Sequence, residues 1–254
     1  MVENAPEGME AVVRTHPSGD EVAFHRHDFF QLTVAISGTV RIQTNSGWWL
    51  AMPGTAVLIA PGIEHRAIYP QRAELINMRF PIVASASVFQ PAQMFKVSNL
   101  IIELVQEAKE IAKVDGDFVS EEADLIRQLL VKLLQKNSLE LDMFVPEGQD
   151  KRLRIVTDKL RNDPGCTDTL AQLADLAHAS QRTLARLFSE EIGMPFIRWR
   201  ERLRVMTAIE RMISGHSIID VALNLGYQSA SSFTTAFTRL TGMPPRQYMK
   251  ILKL

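Results

Sequence analysis

Two stretches of this chain repeat one pattern, and that repetition limits the fold more than any other feature. "LADLAHASQRTLARLF" (173–188) and "VALNLGYQSASSFTTAF" (221–237) each read as a short apolar-patterned helix, a turn, a serine and a second helix. Ala174 and Ala222 are small enough to let two helices approach closely, and Ser180 and Ser229 are placed to cap the second helix. The second turn is one residue longer. Gly226, and the region of His178 in the first copy, can supply a turn residue at positive φ, where Gly is free and His is tolerated. Leu184, Leu187 and Phe188 form one inward face; Phe233, Ala236 and Phe237 form the other. This is a helix-turn-helix pattern written twice.

Between the copies lies "FIRWRERLRVMTAIERMIS" (196–214), 19 residues without Gly or Pro, with Pro195 near a favourable helix start. As a helix it is a rod of about 28 Å. B-DNA repeats in about 34 Å, so such a rod can set two recognition helices in successive major grooves on one face of a duplex. Charge agrees with a polyanionic partner for this half only. Residues 1–150 hold 12 basic against 20 acidic residues, a balance of −8, and residues 151–254 hold 16 against 9, a balance of +7.

The residues also carry a family resemblance. Segment 168–249 resembles the DNA-binding domain of the AraC/XylS regulators through "LADLAHASQRTLARLFSEEIGMPFIRWRERLR" and "SIIDVALNLGYQSASSFTTAFTRLTGMPPRQYM". Ile219, Val221, Ala222, Gly226, Tyr227, Ser229, Phe233, Phe237, Gly242, Pro245 and Tyr248 fall at the family's spacing. The resemblance covers about a third of the chain. It implies a two-site reader of double-stranded promoter DNA that controls transcription, with RNA polymerase as a protein it can act on.

Outward positions on the first recognition helix are Gln181, Arg182, Ala185 and Arg186. Arg186 can grip guanine O6 and N7 as a bidentate fork, worth about 1–3 kcal/mol of discrimination, or instead form a surface salt bridge. On the second helix Ala230, Ser231, Thr234 and Thr235 point outward, short and neutral, able to meet a phosphate or a thymine methyl but offering no fork. The first copy is therefore expected to supply most of the sequence specificity. Arg198, Arg200, Arg202 and Arg204 spread around the rod and are expected mostly in solvent or paired with Glu201 and Asp side chains, with one or two at phosphates.

Residues 10 to about 82 read as short strands rich in Val, Ile, Thr and aromatics, punctuated by Gly, Pro and Asn: a small antiparallel barrel or sandwich. Two amphipathic helices follow. Ile101, Leu104, Val105, Ala108 and Ile111 mark one; Leu125, Ile126, Leu129, Leu130, Leu133 and Leu134 mark the other, after a Ser120 cap. Their stripes either cover the barrel alone or also form the seam of a homodimer. The stretch 137–151, with Pro146 and Gly148, marks a linker between a sensing domain at 1–136 and a DNA-binding domain at 152–254. The fold class expected is α+β in two domains: a jelly-roll barrel with two helices, then an all-α tandem helix-turn-helix.

"GDEVAFHRHDFFQLTVAISG" (19–38) puts His25 and His27 on one face of a strand. A turn at Pro61–Gly62 starts a strand that can bring His65 opposite them, and three imidazoles can hold Zn, Fe or Ni. Gly19, His25, His27, Gln31 and Gly38, then Gly54, Pro61, Gly62 and His65, resemble the two cupin motifs, which implies a jelly-roll barrel. Two positions depart from that pattern. Gln31 stands where cupin enzymes carry a glutamate, and Tyr69 where they carry an asparagine. An amide is a poorer ligand than a carboxylate and cannot act as a general base.

The expected effector-binding set is His25, His27, Gln31, His65 and one of Trp48 and Trp49, which as strand neighbours face opposite ways. The histidines alternatively serve as hydrogen-bonded structural residues. The chain is then read as a one-component, non-enzymatic regulator sensing a small molecule or a metal. The alternatives are a cupin dioxygenase or isomerase with a DNA-binding appendage, and an adaptor whose helical half binds a protein. Cys166 is the single cysteine, so no internal disulfide forms; no run is apolar and long enough to span a membrane, and "MVENAPEGME" lacks a secretion signal, which suits a cytoplasmic protein.

Overall fold

Gly- and Pro-containing turns cut the first eighty residues into strands too short to stand alone, and they stack into a sandwich. The computed structural model describes residues 2–3, 10–81, 89, 91–115, 120–136 and 143–252. The strands are β1 (Val2–Glu3), β2 (Glu10–His16), β3 (Asp20–His27), β4 (Phe30–Ser37), β5 (Val40–Thr44), β6 (Gly47–Ala51), β7 (Thr55–Ile59), β8 (His65–Tyr69), β9 (Ala73–Phe80) and β10 (Ala92–Lys96). One sheet runs β1-β3-β8-β5-β6, the other β10-β7-β4-β9-β2. Only β1 is known to pair in parallel, with β3; the registered pairs β2–β9, β3–β8, β4–β7, β4–β9, β5–β8 and β7–β10 are antiparallel.

Two helices, α1 (Asn99–Asp115) and α2 (Glu121–Lys136), follow the strands. Ser120 caps the second through its Oγ, which accepts the Ala123 N–H at 3.2 Å. The outer face of the second sheet is apolar: Phe30, Leu32, Val34, Ile76, Met78 and Phe80 join Ile101, Val105, Leu130 and Leu134 in one buried cluster. The stripe read on α2 therefore divides. Leu130 and Leu134 are buried, whereas Leu125 and Leu129, four residues apart, are 58% and 41% exposed.

The chain separates into two compact units, Met1–Thr44 with Trp49–Leu141, and Asn45–Trp48 with Asp142–Leu254. The second holds β11 (Phe144–Pro146), α3 (Lys151–Asn162), α4 (Leu170–Leu176), α5 (Gln181–Glu190), α6 (Phe196–Ile213), α7 (Ile218–Asn224), α8 (Ala230–Thr241) and α9 (Pro245–Leu252). Of the stretch read as a linker, 137–142 lies outside the described residues. The remainder is pinned: the Trp199 Nε1–H donates to Pro146 O at 2.8 Å, and the Gln149 and Asp150 N–H groups donate to Glu191 at 2.6 and 3.0 Å.

Candidate nucleic-acid interface and sensor site

Each half of the doubled motif starts its recognition helix with a serine cap. Ser180 Oγ accepts the Thr183 N–H at 3.1 Å ahead of α5, and Ser229 with Ser232 forms a reciprocal capping box ahead of α8. The turns use the residues the sequence pointed to. His178, at φ 51°, is the one positive-φ residue other than glycine among the described residues, and Gly226 sits at φ 72°. A Cβ on Gly226 would meet Gly165 O at 2.5 Å, so glycine is required there for space as well as for φ. The turn between α4 and α5 is one residue shorter than that between α7 and α8. Leu184 and Phe188 are fully buried under α5, Phe233 and Phe237 under α8.

The connecting rod α6 has 18 residues, about 27 Å of helix. Its arginines differ from expectation. Arg204 is buried, donating to Pro164 O at 3.0 Å and Cys166 O at 2.7 Å with its guanidinium 5.5 Å from the Tyr227 ring. Arg200 donates to Asp168 O at 2.7 Å and lies over Phe196; Arg202 donates to Phe144 O at 3.2 Å. Only Arg198 is exposed, 3.7 Å from Glu201. The cause is tertiary: loop carbonyls left without helical partners need donors, and a long guanidinium reaching them from α6 supplies several at once. Burial lowers the pKa of Arg200 and Arg204.

Gln181, Arg182, Ala185 and Arg186 are all exposed on α5. Arg182 makes no ion pair among the described residues, while Arg186 Nη1 lies 2.5 Å from Glu190 Oε2. On α8, Ser231 and Thr235 are exposed and Ala230 and Thr234 half-buried. Thr234 Oγ1 donates to Ala230 O and Thr235 Oγ1 to Ser231 O, so both hydroxyl protons are used within the helix. What these threonines offer outward is methyl groups and oxygen lone pairs.

In the first unit, His25, His27 and His65 come together, with one ligating atom from each lying within 4.8 Å of the others. An irregularity in the β3–β8 register after Val22 puts His25 directly across from His65. Gly62, at φ 77°, gives its N–H to His27 O at 2.8 Å and so fixes the turn before β8. His25 Nδ1 pairs with Ala23 O, His27 Nδ1 with Phe29 O and His65 Nδ1 with Ile63 O, at 3.0, 2.8 and 3.0 Å. A carbonyl only accepts, so each Nδ1 is the protonated nitrogen in these pairs and Nε2 is the nitrogen able to ligate. His65 is 2% exposed, its Nε2 has no hydrogen-bond partner, and burial pushes its pKa down to about 4. Three imidazoles oriented in this way fit a divalent cation.

The remaining residues of the expected effector set are placed less closely. Gln31 donates from Nε2 to Thr33 Oγ1 at 3.3 Å on its own strand. Trp48 and Trp49 are both buried, Trp49 in the first unit and Trp48 with the second. Tyr69 is stacked on His16, with ring centroids 3.8 Å apart, and burial raises its pKa to about 12. Sequence reasoning missed the carbonyl-binding role of Arg200, Arg202 and Arg204, which the rod's arginine spacing alone does not signal.

Comparison with known proteins gives one match for each half. Residues 7–114 match the model of an AraC-like ligand binding domain, and residues 173–251 match a helix-turn-helix domain. The HTH-type transcriptional regulator NimR of Escherichia coli is 26% identical over 240 residues, 92% of this chain and 85% of its own. The HTH-type transcriptional activator RhaR of Escherichia coli is 26% identical over 261 residues, 94% and 90% respectively. Among solved structures, ToxT of Vibrio cholerae superposes with a TM-score of 0.42 at 13% identity, covering 98% of this chain and 100% of that one.

Proposed function

We propose that the chain works as an AraC-family transcription regulator, with a ligand-binding domain and a DNA-binding helix-turn-helix domain, and that its residues divide the work as follows. Helix α5 reads sequence through Arg182 and Arg186, with Gln181 and Ala185 beside them. Helix α8, through Ala230, Ser231, Thr234 and Thr235, contributes position and affinity. The carrying observation is the pair of serine-capped recognition helices joined by one uninterrupted 18-residue rod.

The sandwich senses the signal. His25, His27 and His65 are the residues that would hold a divalent metal such as Zn, Fe or Ni; when bound it supplies a Lewis-acidic centre, as the signal itself or as an anchor for a small molecule. Gln31 lacks the carboxylate that would serve as a general base, which supports sensing over turnover. The exposed Leu125 and Leu129 on α2 are the seam of a homodimer. Action on promoter DNA with RNA polymerase would put the protein in the cytoplasm; no helix among the described residues is long and apolar enough to cross a membrane.

Genome-wide selection of DNA fragments by the purified protein tests this reading. Enrichment of a small set of promoter sites sharing one bipartite sequence supports it. Enrichment without sequence preference, or metal-dependent turnover of an oxygen-requiring substrate, overturns it.

A further inference from the structure

The inner face of the second sheet carries a polar patch where a sandwich interior is ordinarily apolar. On the β4–β9 ladder Phe30, Leu32 and Val34 face Phe80, Met78 and Ile76, and all six lie in the cluster beneath α1 and α2. The alternate positions point the other way, into the sandwich. There Gln31 stands opposite Arg79, and Thr33 opposite Asn77. Directly opposed residues sit about 5 Å apart at Cβ, so four polar side chains form one compact block. Apolar strand neighbours bound it: Ile59 and Val57 across from Gln31 and Thr33 on β7, and Val12 across from Asn77 on β2.

The block continues towards the histidines. The Arg79 guanidinium lies 5.3 Å from the centroid of the fully buried Phe29 ring, and that ring stacks on His27 at 4.1 Å. Among the described residues, the buried acceptors Asn77 Oδ1 and His65 Nε2 find no hydrogen-bond donor. Thr33 Oγ1 accepts from Gln31 Nε2, which leaves its own proton available.

Resting on the reading of the sandwich as the sensor, we propose that its effector is a small hydroxylated carboxylic acid. Arg79 binds the carboxylate, for which a guanidinium fork is the matching shape. Asn77 Oδ1 accepts a hydrogen bond from a ligand hydroxyl, and Thr33 and Gln31 bind a neighbouring oxygen. A buried acceptor without a partner is costly, and a ligand hydroxyl removes that cost. The apolar walls at Val12, Val57 and Ile59 suit a short carbon skeleton and give no grip on a highly charged ligand.

The test is thermal unfolding of the full chain, freed of metal by a chelator. The probes are two- to six-carbon hydroxy acids and sugar acids (lactate, malate and gluconate among them) at about 10 mM, with glycerol and glucose as uncharged counterparts. At least one acid should raise the melting temperature by about 3 °C or more, with no shift from the uncharged compounds. Arg79→Gln and Asn77→Leu should each weaken that acid's affinity about tenfold or more, and Arg79→Lys should lose less. If Arg79→Gln does not fold, Asn77→Leu and Thr33→Val decide. Silence from every acid, an equal response to glycerol or glucose, or an acid response untouched by the folded variants overturns the proposal. Selection of specific DNA alongside any of these outcomes leaves the regulator reading standing; loss of specific DNA binding removes that reading separately.

Discussion

Arg186 and Glu190 form an ion pair one turn apart on the exposed face of α5, Nη1 to Oε2 at 2.5 Å. The side chain best shaped to read guanine is thus held by its own helix in the free protein. Both partners are exposed, so the pair is weak and exchangeable. Arg186→Ala should cut discrimination at one operator position by about 1–3 kcal/mol, read from binding to randomised operators. Glu190→Gln should raise affinity for all sequences and steepen the salt dependence, because a carboxylate is removed from beside the phosphates. A uniform loss of affinity in Arg186→Ala, with unchanged sequence preference, would show a phosphate contact instead.

Arg204 should be far more important for stability than for DNA affinity. Its removal leaves the carbonyls of Pro164 and Cys166 without the donors they now have. Arg204→Met should destabilise the second unit by about 2–4 kcal/mol in denaturant unfolding. Gly226→Ala should cost about 1–3 kcal/mol, since it adds both a positive-φ penalty and a 2.5 Å approach to Gly165 O. A variant of either residue with native stability would contradict the packing described.

The metal-free sensor should lose stability on mild acidification. His65 has a folded pKa of about 4 against an ordinary 6.5, with burial as the main cause. The unfolded chain therefore takes up a proton that the folded one refuses. This contribution is complete above about pH 6.5 and is lost as pH falls towards 4, on the order of 3 kcal/mol in all. Unfolding of wild type and His65→Asn in chelator between pH 4 and 7.5 checks it: the variant's profile should be flatter across that window.

Leu125→Glu with Leu129→Glu should yield a monomer by sedimentation, with intact helicity and weakened operator binding. Neither side chain is in the buried cluster, so the substitutions leave the core untouched. A dimer that survives both changes places the seam elsewhere.

Much of this was legible in the sequence because it rests on local rules. Serine caps, a glycine at positive φ, a histidine tolerated there and a 3.6-residue apolar period are each decided within a few residues, so α4, α5, α7 and α8 could be read directly. The histidine triad was legible through strand alternation and one turn. The arginines of α6 were not, because a loop carbonyl such as Pro164 O becomes their partner only through tertiary folding, 40 residues away in sequence. Gln31 was legible from its motif position, but its grouping with Thr33, Asn77 and Arg79 in one polar block was hidden. It depends on the register between β4 and β9, and a shift of one residue would turn all four side chains to the opposite face.

The most direct measurement is hydroxyl-radical and methylation protection on a selected operator, repeated after inserting five base pairs between its two half-sites. A rod of about 27 Å carrying a probe at each end should protect two successive major grooves on one face, about 10 base pairs apart. The half-turn insertion should lower affinity about a hundredfold, because a rigid α6 cannot follow the second groove around the duplex. Protection confined to a single groove, or binding indifferent to the insertion, would contradict two-site reading.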